Sequence, residues 1–239
     1  MPKEKQSLQA SAIIVAAGQG TRFGSELPKQ FLMLCQRPIL AHTLQRFEQA
    51  EAITEVVLVA SQAWVSYIER DIIARFQIKK CRKIVMGGEH RQDSVWAGFQ
   101  ALQPASSSIV VVHDAVRPLF THALLERVIA ACETADGCIP GLPLRDTVKK
   151  ISEHNIKKTM DRARLRLAQT PQAFRAKALK RAFKRAQDEK FYATDEAALI
   201  ERVGGQVVWV EGEEKNLKIT TPSDLQIAEL FSQELGTCV

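Results

Sequence analysis

Cysteine is scarce in this sequence, and no two cysteines are closely spaced. The 239 residues contain five, an odd number, and no C-x-x-C motif occurs among them. Zinc sites and disulfide frameworks need closely spaced or evenly paired cysteines, so the spacing argues against both. It favours a reducing compartment, and we expect a cytoplasmic protein. The five residues are Cys35, Cys81, Cys132, Cys138 and Cys238.

Long apolar runs are also missing. No segment approaches the roughly 20 apolar residues that a membrane-spanning helix needs, so no membrane association is expected. Lys3 and Lys5 precede an apolar run, as in a secretory signal, but Glu4 interrupts the charge and the run breaks at Gly18. Residues 1–10 are interpreted as a disordered tail and 11–239 as a single domain, a normal size for one α/β unit.

The basic residues lack interleaved aromatic residues. The net charge is +6, and the excess is local: between Arg145 and Arg185 there are fourteen Lys or Arg against three acidic residues. Nucleic acid is the usual ligand of such a patch. Because no aromatic run and no recognisable nucleic-acid-binding module accompanies it, small phosphorylated ligands fit better, and no nucleic-acid partner is predicted.

The stretch 11–30 changes character at Gly18. The preceding apolar run, Ile13–Ala17, is typical of a strand buried on both faces of a parallel sheet. Glycines close together let the backbone expose successive N–H groups that bind phosphate, and open α/β sheets bind ligands at the carboxyl ends of their strands. The stretch therefore predicts a triphosphate cradle, with a solvated flexible turn as the alternative. Its glycines and cations are Gly18, Gly20, Gly24, Arg22 and Lys29.

A dinucleotide-binding fingerprint is disfavoured. That motif is G-x-G-x-x-G, but here Phe23 stands at the third glycine position and the glycine falls one residue later, at Gly24. The acidic residue expected after the second strand is also missing, since Val56–Ala60 is followed by Ser61 and Gln62. An NAD-dependent oxidoreductase is therefore a weaker hypothesis.

Further strands alternate with helical patterns, which predicts an α/β fold with a doubly wound, mostly parallel sheet. Helices are expected at 95–102, 176–188 and 194–202, and after Thr221. A last strand pair is expected at 207–210 and 216–219. The main predicted strands are Ile13–Ala17, Val56–Ala60, Lys83–Met86 and Ile109–His113.

The fourth strand delivers Asp114 to the sheet edge that also holds the glycine loop. A carboxylate there suits a Mg²⁺ ion that bridges protein and nucleotide phosphates. The alternative is a helix cap for the segment from Thr121 onward. His113 is expected to be packed and hydrogen-bonded, not catalytic.

The α/β pattern stops at Gly137. The segment 139–149 contains Pro140 and Pro143, which makes it too rich in proline for a central sheet position. We interpret 137–172 as containing a protruding β-arm.

The motifs resemble those of a known family. AAGQGTRFG at 16–24 and PKQF at 28–31 resemble the signature of sugar-nucleotide pyrophosphorylases and cytidylyltransferases. HDAVRP at 113–118, RDT at 145–147, TPQ at 170–172 and NLKIT at 216–220 narrow the resemblance to 2-C-methyl-D-erythritol 4-phosphate cytidylyltransferases, over about 11–235. Two positions depart from the family pattern: Val116 stands where alanine is usual, and Arg166 where tryptophan is frequent.

The resemblance implies a Rossmann-like nucleotidyltransferase fold and a Mg²⁺-dependent transfer of cytidylyl from CTP to 2-C-methyl-D-erythritol 4-phosphate, in isoprenoid precursor synthesis without mevalonate. Ribitol 5-phosphate is the alternative acceptor. It also implies a homodimer whose arms exchange. The implied catalytic residues are Arg22, Lys29, Arg162 and Lys218. The implied nucleotide-binding residues are Ala16, Ala17, Gly18, Gly20, Gly88, Ser94 and Asp114. The implied acceptor-binding residues are Arg117, Thr147, Arg162, Thr170 and Lys218.

Overall fold

The computed structural model describes residues 8–18, 27–105 and 108–235. The strands of these residues are β1 (Ala10–Val15), β2 (Met33–Leu34), β3 (Arg37–Pro38), β4 (Ile53–Ala60), β5 (Cys81–Met86), β6 (Ile109–Asp114), β7 (Gly137–Pro143), β8 (Lys149–Ser152), β9 (Asn155–Thr159), β10 (Arg166–Ala168), β11 (Gln172–Arg175) and β12 (Val207–Glu211). The helices are α1 (Ile39–Gln49), α2 (Val65–Tyr67, which continues as a π-helix at Ile68–Ala74), α3 (Arg91–Leu102), α4 (His122–Ala131), α5 (Ala176–Asp188), α6 (Glu196–Arg202) and α7 (Pro222–Glu234).

The main sheet has the order β10-β7-β11-β6-β1-β4-β5, and β12 also pairs with β7. β1 lies parallel to both β4 and β6, and β4 lies parallel to β5, whereas β10 and β11 run antiparallel to their neighbours. The chain moves outward from β1 to β5 and then crosses back to β6, so the strand order reverses between β1 and β6. The predicted doubly wound, mostly parallel sheet is confirmed, and ligands of such sheets bind at this reversal.

Helices cover both faces of the sheet. On one face the apolar side chains of α1 and α4 form a core with β1, β4 and β6, which includes Leu44, Phe47 and Leu124. On the other face α3, α5 and α6 form a second core, which includes Phe99 and Phe183. Because β4 and β6 are buried on both faces, their sequences contain continuous apolar runs.

Three predicted boundaries differ from the structure. β1 ends at Val15, so 16–18 leave the sheet and are available to a ligand. α3 begins at Arg91 instead of residue 95, because the Asp93 carboxylate accepts a hydrogen bond from the His90 N–H at 3.1 Å. The segment 216–219 is not a strand: Asn216 is buried and bonds through its side chain to the Thr170 carbonyl at 2.8 Å.

The expectation that 139–149 is too rich in proline for the sheet is wrong for its first part. β7 pairs with β12 along one edge and with β11 and then β10 along the other. Pro140 lies where the partner changes from β11 to β10, and its carbonyl accepts a hydrogen bond from the Gln169 N–H at 2.8 Å. A missing N–H is tolerated at such a change of partner. The protruding part of the arm is the β8–β9 hairpin.

The described cysteines differ in their bonding. Cys35 is disulfide-bonded, whereas Cys81, Cys132 and Cys138 are free thiols. Cys238 lies outside the described residues. A single bridge is compatible with an odd number of cysteines and does not make a disulfide framework.

α3 packs closely on β1 and β4 at Gly98. A Cβ atom at this position would lie 2.5 Å from Ile13 Cγ2 and 3.0 Å from Val59 Cγ2. Both neighbours are buried in the sheet, so the helix itself would have to move away. Glycine is therefore required by this contact, although it weakens a helix interior.

We expect Gly98→Ala to lower the free energy of unfolding by about 1–3 kcal/mol through overpacking. This loss would occur although alanine is the better helix former by about 1 kcal/mol. Denaturant titration gives the measurement. Gln100→Ala, on the exposed face of the same helix, should change it by less than about 0.5 kcal/mol. A more stable Gly98→Ala protein would show that α3 can shift without cost.

Candidate active site

A cleft of about 560 Å³ lies at the carboxyl ends of β1, β5 and β6, beside the reversal of strand order. The described residues that were predicted for the nucleotide site and for catalysis meet there, with the exception of Arg162. Gly20 and Arg22 lie outside the described residues. The predicted residues that line the cleft are Ala16, Ala17, Gly18, Lys29, Gly88, Ser94, Asp114 and Lys218.

Gln30 holds the segment that follows β1. Its side chain is buried, and its amide donates hydrogen bonds to the carbonyls of Ala16 at 2.7 Å and Gly18 at 3.2 Å. The Ala16 N–H in turn donates to the Val59 carbonyl at 2.7 Å. The short 3-10 helix Lys29–Phe31 thus fixes the backbone of the predicted cradle and places Lys29 at its rim.

The second glycine turn closes the opposite wall of the cleft. A Cβ at Gly87 would lie 2.3 Å from the Ala17 Cβ, so only glycine lets the ends of β5 and β1 approach this closely. The Gly88 N–H donates to Ser94 Oγ at 3.2 Å, and the Ser94 hydroxyl donates to the His90 carbonyl at 3.2 Å. Ser94 therefore stabilises the turn from within the cleft.

Asp114 is the centre of the charge arrangement. It is 8% exposed, and three cations surround its carboxylate. Lys218 Nζ lies 2.8 Å from Oδ2, Arg91 Nε lies 3.3 Å from Oδ1, and Arg117 Nε lies 3.8 Å from Oδ2. Burial alone would raise the pKa of Asp114, but the attraction of these cations outweighs burial and holds its pKa well below the usual range. Asp114 is therefore ionised. It does not cap α4, because the Thr121 hydroxyl accepts from the Leu124 N–H instead.

Arg91 connects Asp114 to a second buried carboxylate. Its Nη1 lies 2.8 Å from both carboxylate oxygens of Glu196, the first residue of α6, and Glu196 is 1% exposed. Burial opposes the charge on Arg91, but its attraction to Glu196 and Asp114 outweighs burial and raises its pKa. Burial raises the pKa of Glu196, and the attraction of Arg91 opposes that rise. The result is a row of alternating acidic and basic side chains that runs from Glu196 through Arg91 and Asp114 to Lys218.

A smaller cavity of about 240 Å³ adjoins the cleft. It shares Arg91, Asp114 and Lys218 with the cleft and adds the predicted acceptor residues Arg117 and Thr170. Two ligands bound in the two cavities would therefore face the same carboxylate and the same lysine.

His113 supports this cavity from behind. It is fully buried, and burial lowers its pKa to about 3, so the imidazole is neutral. Its Nε2 lies 3.0 Å from the Arg117 carbonyl, which can only accept, so Nε2 carries the proton and Nδ1 accepts from the Thr170 hydroxyl at 3.1 Å. Thr170 Oγ1 also accepts from the Asp114 N–H at 3.1 Å. The expectation that His113 is packed and hydrogen-bonded is confirmed.

Lys218 is positioned by the residues on either side. The Asn216 carbonyl accepts hydrogen bonds from Arg117 Nη1 at 2.8 Å and from Gln169 Nε2 at 3.1 Å. The Ile219 N–H donates to the Val116 carbonyl at 2.9 Å, and the Ile219 side chain is buried. The lysine between these two anchors is 40% exposed and reaches Asp114 from the open side of the cavity.

Arg162 and Thr147 are not brought to either cavity. Both are exposed near the base of the arm. Arg162 donates a hydrogen bond to the Arg145 carbonyl, and Arg145 forms an ion pair with Glu214. Within one described chain these two predicted residues therefore stand apart from the rest of the site.

A metal site made by protein side chains alone is not found in the part of the chain that the structure describes, since no three His, Cys, Asp or Glu side chains there are placed to share an ion. Asp114 is the single predicted ligand that borders both cavities. One carboxylate fits Mg²⁺ where nucleotide phosphates and water complete its coordination. Among the described helices, none is both long and apolar enough to cross a membrane.

The cations around Asp114 are grouped closely enough to bind phosphate. They lie at the carboxyl edge of a doubly wound sheet, beside a glycine turn and a cleft large enough for a nucleotide. This arrangement is typical of a nucleotidyltransferase site. The model of the 2-C-methyl-D-erythritol 4-phosphate cytidylyltransferase family matches residues 10–234. The enzyme of that name from Syntrophotalea carbinolica is 41% identical over 94% of this chain and 96% of its own, and that of Syntrophus aciditrophicus is 42% identical over 92% and 94%.

Solved structures of enzymes with this activity resemble the chain as well. The 4-diphosphocytidyl-2C-methyl-D-erythritol synthase of Anaerococcus prevotii superposes with a TM-score of 0.83 at 30% identity, over 95% of this chain and 97% of that one. The 2-C-methyl-D-erythritol 4-phosphate cytidylyltransferase of Thermus thermophilus gives 0.73 at 31% identity, over 95% and 100%. The chain belongs to the 2-C-methyl-D-erythritol 4-phosphate cytidylyltransferase family and is a nucleotidyltransferase.

Three residues of the site were not predicted from the sequence. Gln30 lies inside the PKQF motif, and Arg91 begins α3 three residues after the second glycine turn, so the motifs themselves could have indicated them. Glu196 carried no such signal, because its partner Arg91 is 105 residues away in the sequence.

We expect Gln30→Ala to raise the KM for CTP about tenfold, the scale of leaving a buried hydrogen-bond partner unsatisfied. The carbonyls of Ala16 and Gly18 would lose their donor and the cradle its fixed shape. Steady-state kinetics with each substrate varied in turn gives the measurement. Gln62→Ala, an exposed residue outside the site, is the control. An unchanged KM for CTP would mean that the cradle keeps its shape without Gln30.

Proposed function

We propose that the larger cleft binds CTP, that the adjoining cavity binds the phosphate of the acceptor, and that cytidylyl transfer occurs across Asp114 and Lys218. Family membership assigns the reaction: cytidylyl passes from CTP to 2-C-methyl-D-erythritol 4-phosphate, giving 4-diphosphocytidyl-2-C-methyl-D-erythritol and pyrophosphate. The observation that supports this arrangement most directly is that the two cavities share one wall of charged side chains.

The chemistry needs positioning and charge, not a base. The acceptor phosphate monoester is already an anionic nucleophile when it attacks the α-phosphorus of CTP. The protein must hold the two phosphates in line and neutralise the charge that grows on the departing pyrophosphate. We assign the pyrophosphate side to Lys29 and Arg22. We assign the acceptor phosphate to Lys218, Arg117 and Thr170, with Thr147 and Arg162.

Mg²⁺ fits this site as an ion shared with the nucleotide. Asp114 would hold it, and the bound ion would neutralise charge on the CTP phosphates. The three cations around Asp114 keep the carboxylate ionised, and a bound Mg²⁺ would share its oxygens with Lys218 and Arg91. We place the reaction in the cytoplasm, where CTP is available.

Turnover should require CTP, Mg²⁺ and 2-C-methyl-D-erythritol 4-phosphate together, measured as pyrophosphate release. Ala16, Ala17 and Gly18 have short or no side chains, and a Cβ at Gly18 would meet no atom within 4 Å, so we place the pyrimidine against this wall of the cleft. ATP and ribitol 5-phosphate, each offered in place of the proper substrate, are the matched comparisons. Equal turnover with ribitol 5-phosphate would replace the proposed acceptor, and equal turnover with ATP would reject the pyrimidine pocket.

We further propose a homodimer in which the arm of each chain completes the partner's site. Both strands of the β8–β9 hairpin are exposed along their whole length, and the apolar Ile151 and Ile156 are each 64% exposed. A two-stranded hairpin is marginally stable by itself in water, so such a surface needs something to pack against. The exposed positions of Arg162 and Thr147 at its base are compatible with a role in the other chain's site.

Mixed dimers test this sharing. Lys29→Ala and Arg162→Ala chains, each inactive alone, are co-expressed with different affinity tags, and the mixed dimer is isolated by tandem purification. Two-fold symmetry then gives each mixed dimer one doubly damaged site and one intact site. We expect about half of the wild-type activity per dimer by that count.

If Lys29 and Arg162 belonged to the site of the same chain, the mixed dimer would be inactive. Each site of the mixed dimer would then carry one lesion, and the dimer would stay as inactive as its parents. A wild-type dimer that carries the same two tags is the control. An inactive mixed dimer of correct size would reject arm exchange while leaving the assigned reaction intact.

A further inference from the structure

Glu196 is a buried carboxylate that touches neither cavity. It is the first residue of α6 and is 1% exposed, and its two oxygens both lie 2.8 Å from Arg91 Nη1. Burying a carboxylate is costly unless a cation pairs with it in good geometry. Arg91 Nη1 contacts both oxygens at once, which satisfies that condition and holds Glu196 and Arg91 in one orientation.

Arg91 has a second partner in a different direction. While Nη1 faces Glu196, Nε lies 3.3 Å from Asp114 Oδ1. The guanidinium group is planar and rigid, so its contact with Glu196 also fixes the position of Nε. It could not rotate toward one carboxylate without losing its contact with the other. Asp114 Oδ1 is therefore held by a group whose position Glu196 determines.

The other oxygen of Asp114 faces the acceptor cavity. Oδ2 lies 2.8 Å from Lys218 Nζ and 3.8 Å from Arg117 Nε. Without Glu196, the whole charge of Arg91 would be available to Asp114, and Arg91 could draw both oxygens away from Lys218. We propose that Glu196 is a positioning residue for the transfer reaction: through Arg91 it sets the orientation of Asp114, and thereby places Lys218 and Arg117 for the acceptor phosphate.

This inference rests on the proposed function of the two cavities, and it makes a specific kinetic prediction. Glu196→Gln keeps the size of the side chain and removes its charge. It should lower kcat/KM for the acceptor by roughly tenfold to a hundredfold, the scale of a small misplacement of binding groups. The KM for CTP should change by a smaller factor, because the cradle held by Gln30 does not involve Glu196, although Arg91 and Asp114 also line the CTP cleft. Glu201→Gln, the same change on the exposed side of the same helix, is the control.

A double-mutant cycle separates positioning from general stability. If Glu196 acts through Arg91, Glu196→Gln added to Arg91→Lys should cost little more than Arg91→Lys alone. Losses that multiply would show two independent effects. A KM for CTP that rises by the same factor as the KM for the acceptor, or multiplying losses, would overturn the proposal.

The proposal can also be tested if the Glu196→Gln variant does not fold. If Glu196→Gln does not fold, Glu196→Asp, which keeps the charge, takes its place, and its circular dichroism spectrum and thermal midpoint are recorded first. Should neither variant fold, Glu196 is a residue of the core and not a positioning residue, and the proposal is rejected. A wild-type protein without cytidylyl transfer would refute the proposed function instead, so the two failures are distinguishable.

Discussion

The neutralisation of Asp114 is the interaction on which the site depends. A buried carboxylate costs several kcal/mol unless cations compensate it. Here the compensating groups come from three parts of the chain: Arg91 from the first turn of α3, Arg117 from the turn after β6, and Lys218 from the loop before α7. Two of these cations are meanwhile held by other contacts: Glu196 holds Arg91, and the Asn216 carbonyl holds Arg117. Assembly of the core therefore fixes where the phosphate-binding charges stand.

Sheet topology decides which residues can take part. Because the strand order reverses between β1 and β6, the carboxyl ends of these strands leave an open crevice that no crossover helix covers. The close approach of Gly87 to Ala17 brings the end of β5 to the same crevice. The helices on both faces fill the sheet's surfaces with apolar side chains, so polar side chains collect where the strands end.

Local sequence patterns were enough to predict the parts of the site that directly follow a strand. Asp114 and the glycine loop after β1 could be located from an apolar run and the residues after it, and the fold class from the alternation of strands and helices. The contact of Arg91 with Glu196 could not, because it joins residues 105 positions apart. The 216–219 segment was mistaken for a strand because its alternation arises from an anchored loop, in which Asn216 and Ile219 are buried and Lys218 is not.

The charge balance of the two cavities is a further reason to expect that cations from outside their described walls bind the substrates. Their walls carry four cations, Lys29, Arg91, Arg117 and Lys218, against three carboxylates, Glu89, Asp114 and Asp195. CTP and a phosphate monoester together bring roughly six negative charges near neutral pH. Four partly neutralised cations cannot balance that load in a site partly shielded from water. The proposed Mg²⁺ ion, Arg22 and the arm residue Arg162 are the groups that we assign to supply the positive charge that is still needed.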